Sequence, residues 1–255
     1  MKHRHNWQTA WVTGASQGIG RALATALCEK GVTVYASARR HEALEELADA
    51  LKRLPGALIP CPLDVTDQAA IEGYFEQWEN DNRLPDLIIL NAGTHDPFTA
   101  REFSAQRVET LLNINLCGTL RSLDPSLKHC LKRGRGQIAI MASVAGYRGL
   151  PTAAAYGASK AALINLAEAL RLDLAGSGVD LRLISPGFVR TPLTDKNQFT
   201  MPALIEPEQA AQWILKGLTS SRFEISFPAR FTTVLKLLRC LPYAWYFPLV
   251  QKLTT

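Results

Sequence analysis

Short unbroken apolar runs alternate with segments in which apolar residues recur at helical spacing, and no other feature constrains this chain as much. The apolar runs are "TAWVTG" (9–14), "VTVYASA" (32–38), "ALIPCPLDV" (57–65), "DLIILNAG" (86–93), "GQIAIMAS" (136–143), "VDLRLISPG" (179–187) and "FEISFP" (223–228). Between them, residues 21–31, 41–54, 67–80, 155–178 and 207–218 carry helical patterns. A long helix is predicted around 104–116, running on toward residue 130. A strand covered on both sides has no solvent face to make polar, so it reads as a continuous run. That calls for a parallel sheet with helices on both faces. Right-handed crossovers then give an α/β chain with a single doubly wound, Rossmann-type parallel sheet of about seven strands. Such a sheet binds its ligand at the carboxyl ends of the strands. Residues 1–228 are predicted to form this domain, and 229–255 an amphipathic, aromatic C-terminal extension.

Composition removes several function classes. The 255 residues are 47% hydrophobic and 20% charged, enough for one full core and too apolar for a disordered chain. The net charge of +5 comes from dispersed lysines and arginines, densest at "KHR", "ARR" and "KRGR". A nucleic-acid binder concentrates its basic charge more than this, so no nucleic acid is expected as a partner. Cys28, Cys61, Cys117, Cys130 and Cys240 show no paired spacing, and His3 and His5 sit on a terminus. No metal site and no disulfide framework is predicted. The start "MKHRHNWQTAWVTG" has no apolar core of a signal peptide, and no run reaches the about 20 apolar residues of a membrane span. A cytoplasmic location is expected.

The turn "TGASQGIG" (13–20) joins the first strand to the first helix. Gly14, Gly18 and Gly20 let the backbone turn sharply and approach a pyrophosphate, and the helix start offers free N–H groups and a positive dipole end. Glycines can also merely turn a strand into a helix. The context of strand before and helix after favours the dinucleotide. An NAD site commonly places an acid at the end of the second strand. Here that strand ends "YASARR", with Ala38 about where the acid would stand and Arg39 and Arg40 after it. A guanidinium pairs with a 2′-phosphate, so NADP(H) is expected, with Arg39 the better candidate and solvated arginines the alternative. Asp64, in "LDV", is placed near the adenine edge.

Tyr156 and Lys160, in "YGASK", stand four apart on one face of the strongest helical segment. A free tyrosine has a pKa of about 10, and a nearby ammonium favours the phenolate. Lowering it to neutrality takes about 4 kcal/mol. Lys160 together with the charge of an oxidised nicotinamide is expected to supply that, making Tyr156 a general acid/base. Ser143, 13 residues earlier at the end of the fifth strand, would orient the substrate oxygen.

With "TGASQGIG", "LDV", "NAG" (91–93), Asn115 in "NIN", Ser143, "YGASK" and "SPGFVRT" (185–191) in this order, the chain resembles the short-chain dehydrogenase/reductase family over residues 8 to 228. The resemblance implies a catalytic set of Ser143, Tyr156 and Lys160, with Asn115 holding a water in a proton relay to Lys160. It implies that Ser16, Gln17 and Ile19 join the glycines at the cofactor. Asp64 and Val65 with Asn91, Ala92 and Gly93 would line the adenosine side. Pro186, Gly187, Val189 and Thr191 would border the nicotinamide, and Lys160 would also hold the ribose. An arginine at position 39 marks NADP preference in the family. Gln17 departs from the basic residue that some NADP users carry there. A homodimer or homotetramer through the 155–175 helix is also implied.

The segment 188–207 is predicted to be a long irregular loop over the substrate. Its Phe188, Leu193, Phe199, Met201 and Leu204 suit either a hydrophobic substrate or packing of the loop itself. In the tail, Phe231, Val234, Leu235, Leu238 and Leu241 repeat at helical spacing, with Lys236 and Arg239 toward the other side. This segment fits packing on the subunit, on a partner subunit, or peripherally on the inner face of a membrane. The expected activity is NADP(H)-dependent hydride transfer to or from a carbonyl or secondary alcohol of a small molecule, in the direction of reducing a hydrophobic ketone or aldehyde. A 3-oxoacyl-carrier-protein reductase and a non-catalytic NADP-binding regulator or membrane-associated scaffold are the alternatives.

Overall fold

The computed structural model describes residues 7–197 and 199–254; His3 and His5 lie outside them. Seven strands, β1 (Thr9–Thr13), β2 (Thr33–Ala38), β3 (Leu58–Pro62), β4 (Leu87–Leu90), β5 (Gly136–Met141), β6 (Val179–Pro186) and β7 (Glu224–Phe227), form one sheet in the order β3-β2-β1-β4-β5-β6-β7. Every pairing is parallel. The connecting helices are α1 (Gly18–Glu29), α2 (His41–Leu51), α3 (Gln68–Asn80), α4 (Ala105–Leu112), α5 (Gly118–Arg133), α6 (Ala154–Asp173) and α7 (Pro207–Leu218). The chain winds outward from β1 to β3, then returns to β4 on the other side. That reversal opens a crevice at the carboxyl ends of β1 and β4.

Strand alternation explains the unbroken apolar runs. Ala10 and Val12 face a cluster with Leu23 and Leu27 of α1 and Ile214 and Leu218 of α7. Trp11 between them faces the other cluster, with Phe75 and Trp78 of α3 and Leu163 of α6. Each face is buried, so neither parity of residue is polar. The edge strand β3 carries Pro60 and Pro62, which an edge tolerates because no outer partner needs their missing N–H.

Several boundaries differ from the sequence reading. The predicted helix around 104–116 is broken: α4 ends at Leu112, a five-residue π-helical turn spans Asn113–Cys117, and α5 continues to Arg133. The helix predicted to 178 stops at Asp173, and Gly176 and Gly178 turn the chain with φ of +80° and +82°. The loop after β6 is less irregular than expected, with a 3-10 turn at Thr194–Lys196 and a bridge between Val189 and Ile205.

The tail folds into two helices, α8 (Ala229–Arg239) and α9 (Tyr243–Thr254). Phe231 and Leu235 pack on the β-sheet's core as the apolar spacing predicts. Leu238 and Leu241 are half-buried as well, and Val234 departs from the stripe. Val234 is 54% exposed, and Lys236, exposed as expected, pairs with Glu224.

Candidate active site

The crevice is a cavity of about 430 Å³. Its floor begins with the glycine turn. Gly14 and Gly18 have φ of +68° and +55°, which a side chain would strain. At Gly20 a Cβ would sit 2.2 Å from the Gly14 carbonyl oxygen. The loop therefore folds onto itself with no room for even a methyl group. Gly20→Ala is expected to lower the melting temperature and weaken dinucleotide binding at least about tenfold, because the loop must open to admit it; unchanged melting and binding would contradict that cramped geometry.

The strand-end segment Asn91–Ala92–Gly93 is fastened to the same turn. Asn91 Nδ2 donates to the carbonyls of Thr13 at 2.9 Å and Gly14 at 3.3 Å. The Thr13 hydroxyl in turn accepts from the backbone N–H of Asn91 at 2.9 Å and Ala92 at 3.0 Å. All the residues predicted for the cofactor line this one cavity: Gly14, Ser16, Gln17, Gly18, Ile19, Gly20, Arg39, Arg40, Asp64, Val65, Asn91, Ala92, Gly93, Tyr156, Lys160, Pro186, Gly187, Val189 and Thr191.

At one end, Arg39 and Arg40 follow the end of β2 and are exposed. Arg40 Nη2 donates to Gln17 Oε1 at 3.1 Å, so Gln17 is engaged with the cation beside it. Asp64 accepts from the N–H and hydroxyl of Thr66 at 2.9 and 2.8 Å. These bonds, the N–H first, hold its carboxyl below the usual range, and the Arg39 charge adds to them.

At the other end, Ser143 caps the turn after β5, its Oγ accepting from Ala145 N–H at 3.2 Å. Tyr156 sits in the first turn of α6, partly buried, and Lys160 one turn on, fully covered. Lys160 Nζ donates to the Met141 carbonyl at 2.8 Å and lies 5.6 Å from the centre of the Tyr156 ring. Burial pushes the Lys160 pKa down to about 8, which still leaves it protonated at pH 7. Lys160 alone does not lower the Tyr156 pKa; the lowering expected from the sequence takes Lys160 together with the charge of an oxidised nicotinamide. Burial raises it, and a hydrogen bond with Ser143 only works against that rise. At 5.6 Å from the ring centre, the ammonium does not outweigh the loss of water around the phenol.

Asn115 is completely buried in the π turn and lies behind the cavity wall. Its Oδ1 accepts from Thr94 N–H at 2.7 Å, and its Nδ2 donates to Thr94 carbonyl at 2.9 Å and to Ser159 Oγ at 3.3 Å. A π turn frees its side chain to point at the β4 end. A Cβ on Gly93 would stand 3.4 Å from Asn115 Oδ1 and 3.7 Å from Lys160 Nζ, so glycine keeps the space between the two open.

The sequence reading missed three residues here. His95 packs on Tyr156 with ring centres 4.8 Å apart. Its Nε2 contacts Asn197 Oδ1 at 3.2 Å, and its carbonyl accepts from Lys196 Nζ at 2.7 Å. These bonds fasten the loop after β6 over the phenol. Burial holds the His95 pKa below its ordinary value, so it is neutral at pH 7. The contact spans about a hundred residues of sequence, and no local pattern announces it.

A search among known families matches residues 8–201 to the one described as short chain dehydrogenase. The chain is 37% identical over 237 residues to an uncharacterized oxidoreductase of Myxococcus xanthus, covering 93% of this chain and 94% of that one. It is 30% identical over 213 residues to a 3-oxoacyl-acyl-carrier-protein reductase of Thermotoga maritima, covering 83% and 82%. Among solved structures, a short-chain dehydrogenase from Streptomyces avermitilis superposes with a TM-score of 0.79 at 27% identity, over 90% of each chain.

Proposed function

Because this chain belongs to the short-chain dehydrogenase/reductase family, we propose that it is an NADP(H)-dependent oxidoreductase acting on carbonyl compounds or secondary alcohols. The observation that carries the reading is the convergence of Ser143, Tyr156 and Lys160 on the same cavity as the glycine turn and the two arginines. The residues fit a dinucleotide. The turn leaves no room for side chains, and cations rather than an acid follow β2.

A bound nicotinamide supplies or accepts the hydride at the substrate carbon and adds a positive ring charge when oxidised. The protein handles the oxygen. In reduction, the Ser143 hydroxyl donates a hydrogen bond to the carbonyl oxygen and fixes it beside Tyr156. Tyr156 Oη gives its proton to that oxygen as negative charge develops there. The phenolate left behind is stabilised by the Lys160 ammonium, and proton return runs through the space that Gly93 leaves open between Lys160 and Asn115. Asn115, tied through both its amide groups to Thr94, is a positioning residue for that relay. Oxidation runs the same proton backward.

Arg39 and Arg40 are assigned to the 2′-phosphate. Each charge-assisted contact contributes about 1.5–3 kcal/mol, so removing both side chains as Arg39→Ala with Arg40→Ala is expected to raise the KM for NADPH about a hundredfold or more. The KM for NADH should barely move; an equal loss for both cofactors would show that the arginines do not read the phosphate. Oligomerisation through α6 belongs to the same proposal. Leu172 near its end is 78% exposed and Leu120 of the neighbouring α5 is 39% exposed, so sedimentation should find a homodimer or homotetramer.

The experiment for the reaction class is NADPH consumption against ketones and aldehydes of graded chain length, with the reverse assay on the matching alcohols. Turnover rising with chain length is the expected result. The Thermotoga maritima relative favours one second reading, a reductase of 3-oxoacyl groups on a carrier protein. Activity with a carrier-bound 3-oxoacyl group but not with the same group free would establish that reading instead. Binding of NADPH with no turnover of any carbonyl or alcohol would leave a cofactor-binding regulator.

A further inference from the structure

We propose that α8 and α9 form a docking surface for an anionic lipid bilayer, lying in its headgroup region rather than crossing it. No helix among the described residues is long and apolar enough to cross a membrane.

The tail is fastened to the body. Arg148 Nη1 donates to the carbonyls of Leu238 at 3.1 Å, Arg239 at 3.0 Å and Leu241, closing the end of α8. Its guanidinium lies 4.0 Å from the centre of the Tyr246 ring and 4.7 Å from that of Tyr243. The Tyr246 hydroxyl donates to the Gly149 carbonyl at 2.7 Å. Phe231, Thr232 and Leu235 of α8, and Tyr246 and Val250 of α9, are turned to the protein.

Apolar side chains also stand exposed along both helices. Val234, Leu237, Tyr243, Trp245, Phe247 and Leu253 are between 54% and 69% exposed. These two helices hold seven of the twelve exposed large apolar side chains among the described residues, so the apolar surface is concentrated, not scattered. Charge identifies what covers it. Residues 229–255 contain Arg230, Lys236, Arg239 and Lys252 and not one acid. Lys236 is engaged with Glu224, while Arg230, Arg239 and Lys252 are exposed beside the apolar side chains. A second copy would bring the same cations against themselves across a two-fold axis. An anionic headgroup layer complements them, and tryptophan and tyrosine are the side chains that settle at that depth.

The surface adjoins the crevice. Phe231 of α8 packs on Gly187, where a Cβ would meet it at 2.9 Å. Phe188 bridges Phe231, at 5.7 Å between ring centres, to Phe199 of the overlying loop, at 5.6 Å. A bilayer against α8 and α9 therefore lies next to the loop that covers the crevice. Resting on the proposed activity, this gives the substrate class a source: an apolar carbonyl compound dissolved in lipid.

The test uses the full chain and needs no catalysis. Wild type is sedimented with vesicles of phosphatidylcholine and with vesicles of phosphatidylcholine and phosphatidylglycerol in equal parts. Two variants are compared, Trp245→Ser with Phe247→Ser, and Arg230→Glu with Lys252→Glu. Melting and NADPH binding confirm that each is folded. Wild type should bind the anionic vesicles, release them with added salt, and bind neutral vesicles at least about tenfold less. Each variant should lose about tenfold or more of the bound fraction. Wild type left in the supernatant with anionic vesicles overturns the proposal, as do variants that bind like wild type. Self-association that the aromatic variant abolishes, without vesicle binding, assigns the face to a second copy and also overturns it. Carbonyl turnover measured in detergent-free buffer stands or falls apart from these results.

Discussion

Tyr156→Phe is expected to reduce kcat about a thousandfold while leaving folding and cofactor binding nearly unchanged. The variant removes one oxygen from a partly buried ring on α6 and keeps the ring's contact with His95. No cavity opens, because phenylalanine fills the same volume. What disappears is the group proposed to exchange a proton with the substrate oxygen, and general acid catalysis contributes about 10²–10⁴-fold. Steady-state reduction of the best ketone, with NADPH affinity and melting measured on the same preparation, checks this. Activity within a fewfold of wild type would remove Tyr156 from the chemistry.

Lys160→Met is expected to separate activity from stability. The ammonium is fully covered, and its pKa of about 8 stands below the ordinary value of 10.5 because burial disfavours the charge. That gap corresponds to a cost of about 3 kcal/mol for carrying the charge at pH 7. Methionine has a similar length and no charge, and replacing a buried ion with an apolar group of similar volume is often stabilising. The Met141 carbonyl loses its partner, which returns about 1 kcal/mol. The variant should therefore be more stable at pH 7 by about 1–2 kcal/mol, and slower by about a hundredfold or more.

The pH dependence has a definite sign. Between about 8 and 10.5 the folded chain binds fewer protons at Lys160 than the unfolded chain does, so wild-type stability gains from this group as pH rises through that window. Below 8 both states are protonated and the cost is fully present. The variant should lack this rise. Denaturant unfolding at pH 7 and at pH 10 checks both statements, and a variant less stable than wild type at pH 7 would show that the ammonium supports the fold.

Sequence made the sheet legible because burial on two faces writes itself as unbroken apolar runs, and because each βα unit is local. The glycine turn was legible because Gly14, Gly18 and Gly20 stand together between one strand and the next helix, where Gly14 and Gly20 meet Asn91 and each other. What escaped depends on contacts that spacing does not encode. Asn113–Cys117 reads as one helix with its neighbours, since a single extra residue per turn leaves the apolar pattern nearly intact. The hold of Lys196 and Asn197 on His95 joins segments that only the folded chain brings together. The pairing of Tyr156 with Lys160 was legible, but its electrostatics were not. Spacing shows a cation one turn away and says nothing of the burial that raises the phenol's pKa. In the tail, helical spacing found the inward Phe231 and Leu235 and the exposed Lys236, and misplaced Val234, which is 54% exposed.

The proposed reaction reduces a carbonyl carbon in the crevice with a hydride from NADPH and a proton from Tyr156. Its most direct test is to incubate the chain with NADPH deuterated on the transferable face of C4 and a medium-chain ketone, and to weigh the product. The expected product is an alcohol carrying one deuterium on its former carbonyl carbon, formed by wild type and at trace level by Tyr156→Phe. An alcohol without the label, or NADPH consumed with the ketone unchanged, would contradict it.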